Sequence, residues 1–493
     1  MPGTPSPRPA PAPRPPRRAR RGGGRGARGR PAGARRAPPR RAGRTTPGCL
    51  PPCVHGAIAR AAGGRLRRQW VLVSVAGLFL DVSPLRASRA FRTLWLSQLA
   101  TTAGRQFVVV AVPFQVYVLT HSSLAVGLLG VFQAVPIVVA GLYGGALADR
   151  MDRRKLQLAG KTAVALGSLT LTLGAIGYRA PVAFVYAVVV LTSAASTLDQ
   201  AARTATLPRL VPRHLLPSAM SLTQVLFQAA SIVGPALAGL IIGTAGVAWV
   251  YAIDALLFVP SALMIWTLPP QPPVEPEAVA RGWRAPAQAI SYVWRNRLVA
   301  SLFAADLVAM IFGMPTALFP ALALSVLGIG ASGLGLLYAA PAIGALAGSL
   351  VSGWIRRVER QGMAVIIAIA VWGAAIAGFG LAGRALWLGL PLLALAGAGD
   401  LVSAIFRGTI LQLSVPDGMR GRMSAFHMMV VTTGPRLGDL EAGAVAALVN
   451  PLFSVVSGGI ACIAGIALLA ALLPDLRNYR TRGEAATAAV AGE

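Results

Sequence analysis

Twelve long apolar runs, separated by short polar or Pro/Gly breaks, fill this chain from about residue 92 to residue 474, and nothing else in it limits folding so tightly. Each run is close to the roughly 20 residues that a helix needs to cross a hydrocarbon core. Backbone groups inside lipid must be satisfied within their own segment, so runs of this length are read as helices. The spans fall at approximately 92–119, 124–148, 156–178, 181–202, 219–242, 246–268, 298–324, 332–354, 362–382, 386–411, 424–448 and 451–474. The expected fold is an all-α polytopic membrane protein with twelve transmembrane helices. Composition agrees: 55% of residues are hydrophobic and 13% charged, where soluble proteins are about one quarter charged. A soluble globular enzyme is excluded on that ground. Three cysteines, Cys49, Cys53 and Cys462, cannot supply a disulfide framework.

The formal net charge of +30 is unevenly placed, because residues 1–70 hold 18 arginines and no acid. A stretch so rich in Pro, Arg, Gly and Ala cannot bury enough apolar area to offset its chain entropy. Residues 1–80 are therefore expected to be a disordered tail, either inert or translated upstream sequence, or a basic arm for anionic lipid or nucleic acid. No nucleic-acid partner is expected for the protein as a whole. Cys49, Cys53 and His55 flank Pro51 and Pro52 and make a weak metal signal. Residues 81–268 form a first six-span half, 269–297 a central loop that opens with Pro269, Pro270, Pro272, Pro273 and Pro276 and goes on to an amphipathic piece around Trp294, 298–474 a second half, and 475–493 a C-terminal tail.

Orientation follows from Lys and Arg in short loops. The even-numbered loops carry fifteen, from Arg150, Arg153, Arg154 and Lys155 through Arg209 and Arg213 to Arg420 and Arg422; the odd-numbered loops carry only Arg179 and Arg384. The expectation is a multi-pass plasma-membrane protein with both termini cytoplasmic. The halves also repeat. Arg203, Leu207, Val211 and Pro212 match Arg407, Leu411, Val415 and Pro416 at an offset of 204 residues, shared by Gly144 with Gly348 and Arg153 with Arg357. Two six-helix halves in the same orientation describe a parallel repeat about the membrane normal, as in some secondary transporters.

The loop after span two reads Gly145…Asp149-Arg150…Arg153-Arg154, which resembles the G-x-x-x-D-R-x-G-R-R motif of the major facilitator superfamily. Asp152 departs from it, standing where that family more often has Gly. The segments Asp81–Trp95, Asp199…Arg203…Pro208 and Arg407–Arg422 are similar to the enterobactin-exporter and macrolide-efflux branch. The resemblance covers roughly residues 81–482 and implies that this loop locks the cytoplasmic side in the outward-facing state. Independently, Gly145 permits close helix approach, Asp149 can face a helix N-terminus, and Arg153 can reach an acid such as Asp199. Setting topology is the plainer role for this basic loop.

Ionisable residues within spans are functional-site hypotheses by default. They are Arg105 in span one, Asp254 in span six, Asp306 in span seven, Asp400 in span ten, and Arg436, Asp439 and Glu441 in span eleven. The resemblance implies that spans one, four, seven and ten line the central cavity, favouring Arg105, Asp306 and Asp400; Asp254 reads as structural. Lys161 and Arg407 lie near enough to the cytoplasmic face to snorkel. In span eleven Gly434-Pro435 predicts a kink, and Arg436 and Asp439, three apart, share a face and pair, either as a proton carrier or as a permanent structural pair. Glu441 lies about 200° round from Asp439. Gly234, Pro235 and Gly239 in span five resemble a shortened antiporter motif, and also suit plain close packing.

The expected function is secondary active transport by alternating access, with export of a drug- or siderophore-like small molecule and a proton gradient as energy source. The chain contains no G-x-x-x-x-G-K-[ST] loop, and no cofactor is expected. Its four histidines, His55, His121, His214 and His427, are too scattered for a metal site. The cavity is expected to be largely apolar with few charges, Arg105 pointing to an anionic ligand. A monomer in the lipid bilayer with a small-molecule substrate is the expected assembly. Import of a metabolite, a membrane-embedded enzyme and a non-transporting receptor are the alternatives.

Overall fold

The computed structural model describes residues 81–176, 180–272 and 284–480; the side chains of 142–146, 148, 149 and 284–287 are not described. The basic tail, Arg179, Arg281 and the Gly145 and Asp149 side chains therefore lie outside the described residues.

Among the described residues, twelve membrane-length helices follow one another: α1 Arg89–Thr120, α2 Ser123–Arg150, α3 Arg153–Ala175, α4 Val182–Leu210, α5 Leu216–Ala245, α6 Val247–Trp266, α7 Arg297–Phe312 with its continuation to Val326, α8 Gly330–Leu350, α9 Gln361–Leu381, α10 Leu386–Ser414, α11 Asp417–Leu448 and α12 Pro451–Leu472. Eleven are long and apolar enough to cross a membrane, and the twelfth, α11, carries Arg420, Arg422, Arg436, Asp439 and Glu441. Helix starts are set locally. Ser88, Ser122, Asp152, Asn296 and Asn450 accept hydrogen bonds from the first-turn amides of α1, α2, α3, α7 and α12. Asp152 Oδ1 takes both Arg154 N at 2.8 Å and Gln271 N at 3.2 Å, so the acid at the Gly position of the loop motif caps α3 and anchors the central loop.

The repeat is visible in the helix bounds, since α4 and α10 are displaced by 204 residues at both ends. The halves differ at span seven, where the sequence reading expects a continuous helix. Here α7 stops at Gly313, and the chain resumes as a tight turn at Thr316–Leu318 and a widened turn at Leu322–Val326. Pro315 supplies no N–H and disfavours helical geometry at Met314. Non-helical backbone at membrane depth needs partners from neighbours. Trp372 Nε1 donates to Gly313 O at 2.7 Å, Tyr338 Oη to Thr316 O at 3.2 Å, and Ala317 N to Asp439 Oδ1 at 3.0 Å. Pro435 lies inside α11, which is helical from Asp417 to Leu448, so the interrupted span is α7.

The halves meet at their odd-loop ends. A Cβ on Gly127 of α2 would lie 2.6 Å from Asp439 O of α11, and one on Gly239 of α5 would lie 2.6 Å from Ala331 O of α8. Only glycine allows backbones so close. The Tyr117 and Ser325 hydroxyls add a bond of 2.6 Å there. Toward the basic loops, Gly141, Gly418 and Gly421 would meet nothing within 4 Å. The start of the central loop is bound to the first half (Arg209 Nη1 to Pro272 O, 2.9 Å) and the helix Arg284–Arg295 to the second (Tyr292 Oη to Ser414 O, 3.3 Å). Among the described residues, these close backbone approaches between the halves thus lie on the odd-loop side.

Candidate functional site

A cavity of about 520 Å³ opens inside the first half and is walled on its far side by Thr316, Tyr338 and α11. Its surface carries Arg105 of α1, Lys161 of α3, Asp199 and Arg203 of α4, Asp254 of α6, and Arg436 and Asp439 of α11, with Thr, Ser and Gln side chains between them. The wall is mostly apolar, as expected, but it carries more charges than the few expected. Apolar runs bury polar residues singly, one per turn or two, and only packing of six helices brings those singles together.

Most of these charges are matched. Lys161 Nζ lies 3.5 Å from Asp199 Oδ2, and Arg436 Nη1 lies 3.5 Å from Asp439 Oδ2. Asp439 also accepts from Thr316 Oγ1 at 2.5 Å and from the Ala317 amide, which holds α11 to the broken span. Asp254 accepts from Ser168 Oγ at 2.5 Å. It sits against Gly104, whose missing side chain leaves it room, and is fully buried in the cavity wall. Two cations remain. Arg105 reaches only Gln200 Oε1, at 3.5 Å, and Arg203 has no acid within 4.0 Å among the described residues. Four cations against three acids leave the cavity with positive potential.

Several expected placements change. Lys161 and Arg407 do not snorkel: both are buried, because each finds an acid inside the bundle. Asp306 is not a cavity group but is buried beside Arg407 Nη2 at 2.9 Å. Asp400, 3.8 Å from the same nitrogen, opens instead on a smaller chamber of about 250 Å³ shared with Gln106, Gln228, Ser231 and Tyr338. Asp199 is held by Lys161, while Arg153 donates to Ala205 O at 2.8 Å. Arg154 donates to Trp266 O and lies over the Trp266 ring, and Arg150 is exposed. Gly234 packs on Gln106, and Gly239 and Pro235 on Gly335 of α8, so that motif is a packing seam between helices. Glu441 lines neither chamber. His427, whose Nδ1 is 3.9 Å from Asp306 Oδ2, was missed; nothing in its sequence neighbourhood separates it from a residue at a span end.

Known proteins bear on this geometry in two ways. The family profile described as transmembrane secretion effector matches residues 80–488. The chain is 29% identical to the enterobactin exporter of Citrobacter koseri over 402 residues, 81% of this chain and 96% of that one. It is 28% identical, with the same coverage, to the enterobactin exporter of Salmonella typhimurium. Among solved structures, the nucleoside transporter NupG aligns with a TM-score of 0.65 at 14% identity, covering 78% of this chain and 99% of that one. A bacterial homologue of the iron transporter ferroportin, in the inward-facing state, aligns at 0.60 and 14% identity over 79% and 98%. At such identities these structures establish the fold alone.

Proposed function

This chain belongs to the transmembrane secretion effector family of the major facilitator superfamily, and from that premise we propose that it exports an anionic, siderophore-like small molecule in exchange for protons. It is a multi-pass membrane transporter, and its two halves rock about the central cavity to expose it to each side in turn. One observation carries the choice of cargo: the cavity holds Arg105 and Arg203, neither with an acid within 4.0 Å among the described residues. A cation away from bulk water without a counter-charge is costly, and an anionic ligand removes that cost. The enterobactin exporters among its relatives support the siderophore class. The fifteen-to-two loop charges support a plasma-membrane orientation with both termini in the cytoplasm, from which an exporter loads. The unit is a monomer in the bilayer, with no nucleic-acid partner and no cofactor.

Inside-out vesicles containing the full chain, loaded with an acid interior and offered labelled enterobactin, test this. Gradient-dependent accumulation in the wild type, lost in Arg105→Ala and Arg203→Ala, is the expected result. Accumulation that is unaffected by both changes, or movement only in the opposite sense, sinks the proposal.

A further inference from the structure

Resting on the reading of this protein as a proton-driven exporter, we propose that Asp306, Asp400, Arg407 and His427 form its proton-binding site, set apart from the substrate cavity and reached through the smaller chamber. Arg407 Nη2 lies between the two carboxylates, 2.9 Å from Asp306 Oδ1 and 3.8 Å from Asp400 Oδ1, and His427 Nδ1 is 3.9 Å from the other Asp306 oxygen. None of the four lines the larger cavity. Asp306 and Arg407 are buried, while the Asp400 and His427 side chains are 38% and 31% exposed; of these two Asp400 lines the smaller chamber and is the carboxylate that water reaches.

Charge counting gives the ligand. Two carboxylates and one guanidinium beside a neutral imidazole sum to one negative charge in a low-dielectric interior, and one proton makes the group neutral. The hydrogen bonding is correspondingly incomplete. Both Asp306 oxygens and the Arg407 Nε and Nη1 have no hydrogen-bond partner, because the 2.9 Å pairing is close but misaligned. A hydronium in the chamber gives its proton to Asp400: an O–H bond forms on the carboxylate, one breaks on the hydronium, and water is left. Asp400 then no longer competes for Arg407, which belongs to Asp306 alone. Deprotonation to the other side reverses the step.

No neighbour supplies a competing charge at the group. From the elements packed around it, α8 brings Tyr338, α12 brings Cys462, and α5 and α9 bring no ionisable side chain. On α11, Arg436 and Asp439 face the larger cavity, and Glu441 lies beyond them. Asp417, Arg420 and Arg422 stand at the start of α11, Arg356, Arg357, Glu359 and Arg360 between α8 and α9, Arg105 and Tyr117 on α1, Arg297 at the start of α7 with Tyr292 and Arg295 before it, and Asp475 and Arg477 after α12. Thr316 and Tyr338 line both chambers, directly beyond the break in the span that carries Asp306. A change of pairing at Asp306 therefore has a short route to the cavity wall.

The full chain reconstituted in liposomes gives two separable readings. Infrared difference spectra between acidic and mildly alkaline buffer are expected to show a protonated-carboxyl band that Asp400→Asn removes and Asp439→Asn leaves. His427→Gln is expected to shift the pH midpoint of that band. With labelled enterobactin, Asp400→Asn is expected to lower gradient-driven accumulation about tenfold while exchange of labelled for unlabelled enterobactin continues without a gradient. A band that survives Asp400→Asn, accumulation that survives it, or exchange lost together with accumulation would each overturn the assignment. If wild-type protein moves no enterobactin, the export reading fails, and the infrared band still decides the proton site.

Discussion

Arg203 and Arg407 hold the same place in the two halves, 204 residues apart on α4 and α10, and meet opposite surroundings. Arg203 lines the cavity with no acid within 4.0 Å among the described residues; Arg407 is buried next to Asp306 and Asp400. The same offset explains the difference. Thr102 stands where Asp306 would have its counterpart, and Ser196 where Asp400 would. Conversely Asp199 and Lys161, which pair in the first half, correspond to Ser403 and Val365 in the second. A duplicated scaffold fixes where a cation is presented. A few polar positions on neighbouring helices then decide whether that cation is offered to a ligand or neutralised inside the protein.

The largest effect is expected at Arg407. Arg407→Leu leaves Asp306 buried without its counter-charge and costs about 3–5 kcal/mol, enough to abolish a monodisperse size-exclusion peak, whereas Arg203→Leu folds with an unchanged melting temperature. Equal damage from both would erase the distinction between the halves. Next comes a transplant: Thr102→Asp with Ser196→Asp gives Arg203 the acids that Arg407 has, and vesicle transport of an anionic substrate is expected to fall at least about tenfold, or about 1.4 kcal/mol. Transport unchanged in that double variant would remove the cationic surplus from the account of substrate binding.

Gly127→Val sharpens the comparison at the seam. Its side chain meets Asp439 O, overpacking the contact by about 1–3 kcal/mol and shifting the population toward separated odd-loop ends. Maleimide labelling of a cysteine at Gln133, with native cysteines replaced by Ser, should then increase from the odd-loop side. Asp439→Asn weakens the charge-assisted bonds to Thr316 and Ala317 by about 1 kcal/mol and lowers the melting temperature slightly, while leaving Asp306 and Arg407 paired. The smallest change is at Asp81, whose carboxyl is held below its ordinary range by the Ser218 and then the Ser83 hydrogen bonds. A depressed folded-state pKa stabilises above the unfolded value and is lost as pH falls through the folded one. The group is fully exposed, so Asp81→Asn should leave the melting curve at neutral pH unmoved.

Much of this fold was legible because lipid imposes a simple grammar. Each of the twelve apolar runs had to be a helix, and the α4 and α10 bounds could be set against each other through Arg203, Pro212, Arg407 and Pro416 before any contact was known. The pairing of Arg436 with Asp439 was readable from their spacing on one helix face. Pro315 was visible too, but its break was not foreseen. A proline in a span is tolerated or disruptive according to whether neighbours such as Trp372, Tyr338 and Asp439 take up the freed backbone groups.

The sequence by itself therefore determined helix number, order and the duplicated frame, all of which follow from hydropathy and periodicity along one dimension. Only the tertiary structure decided that Lys161 meets Asp199, that Arg407 meets Asp306 and Asp400, and that Arg105 and Arg203 meet no acid. Asp400 lies two turns from Arg407 on the same helix, but Lys161 and Asp199, and Arg407 and Asp306, come from different helices, and a charge inside a membrane is given its meaning by what packing places within a few ångströms of it.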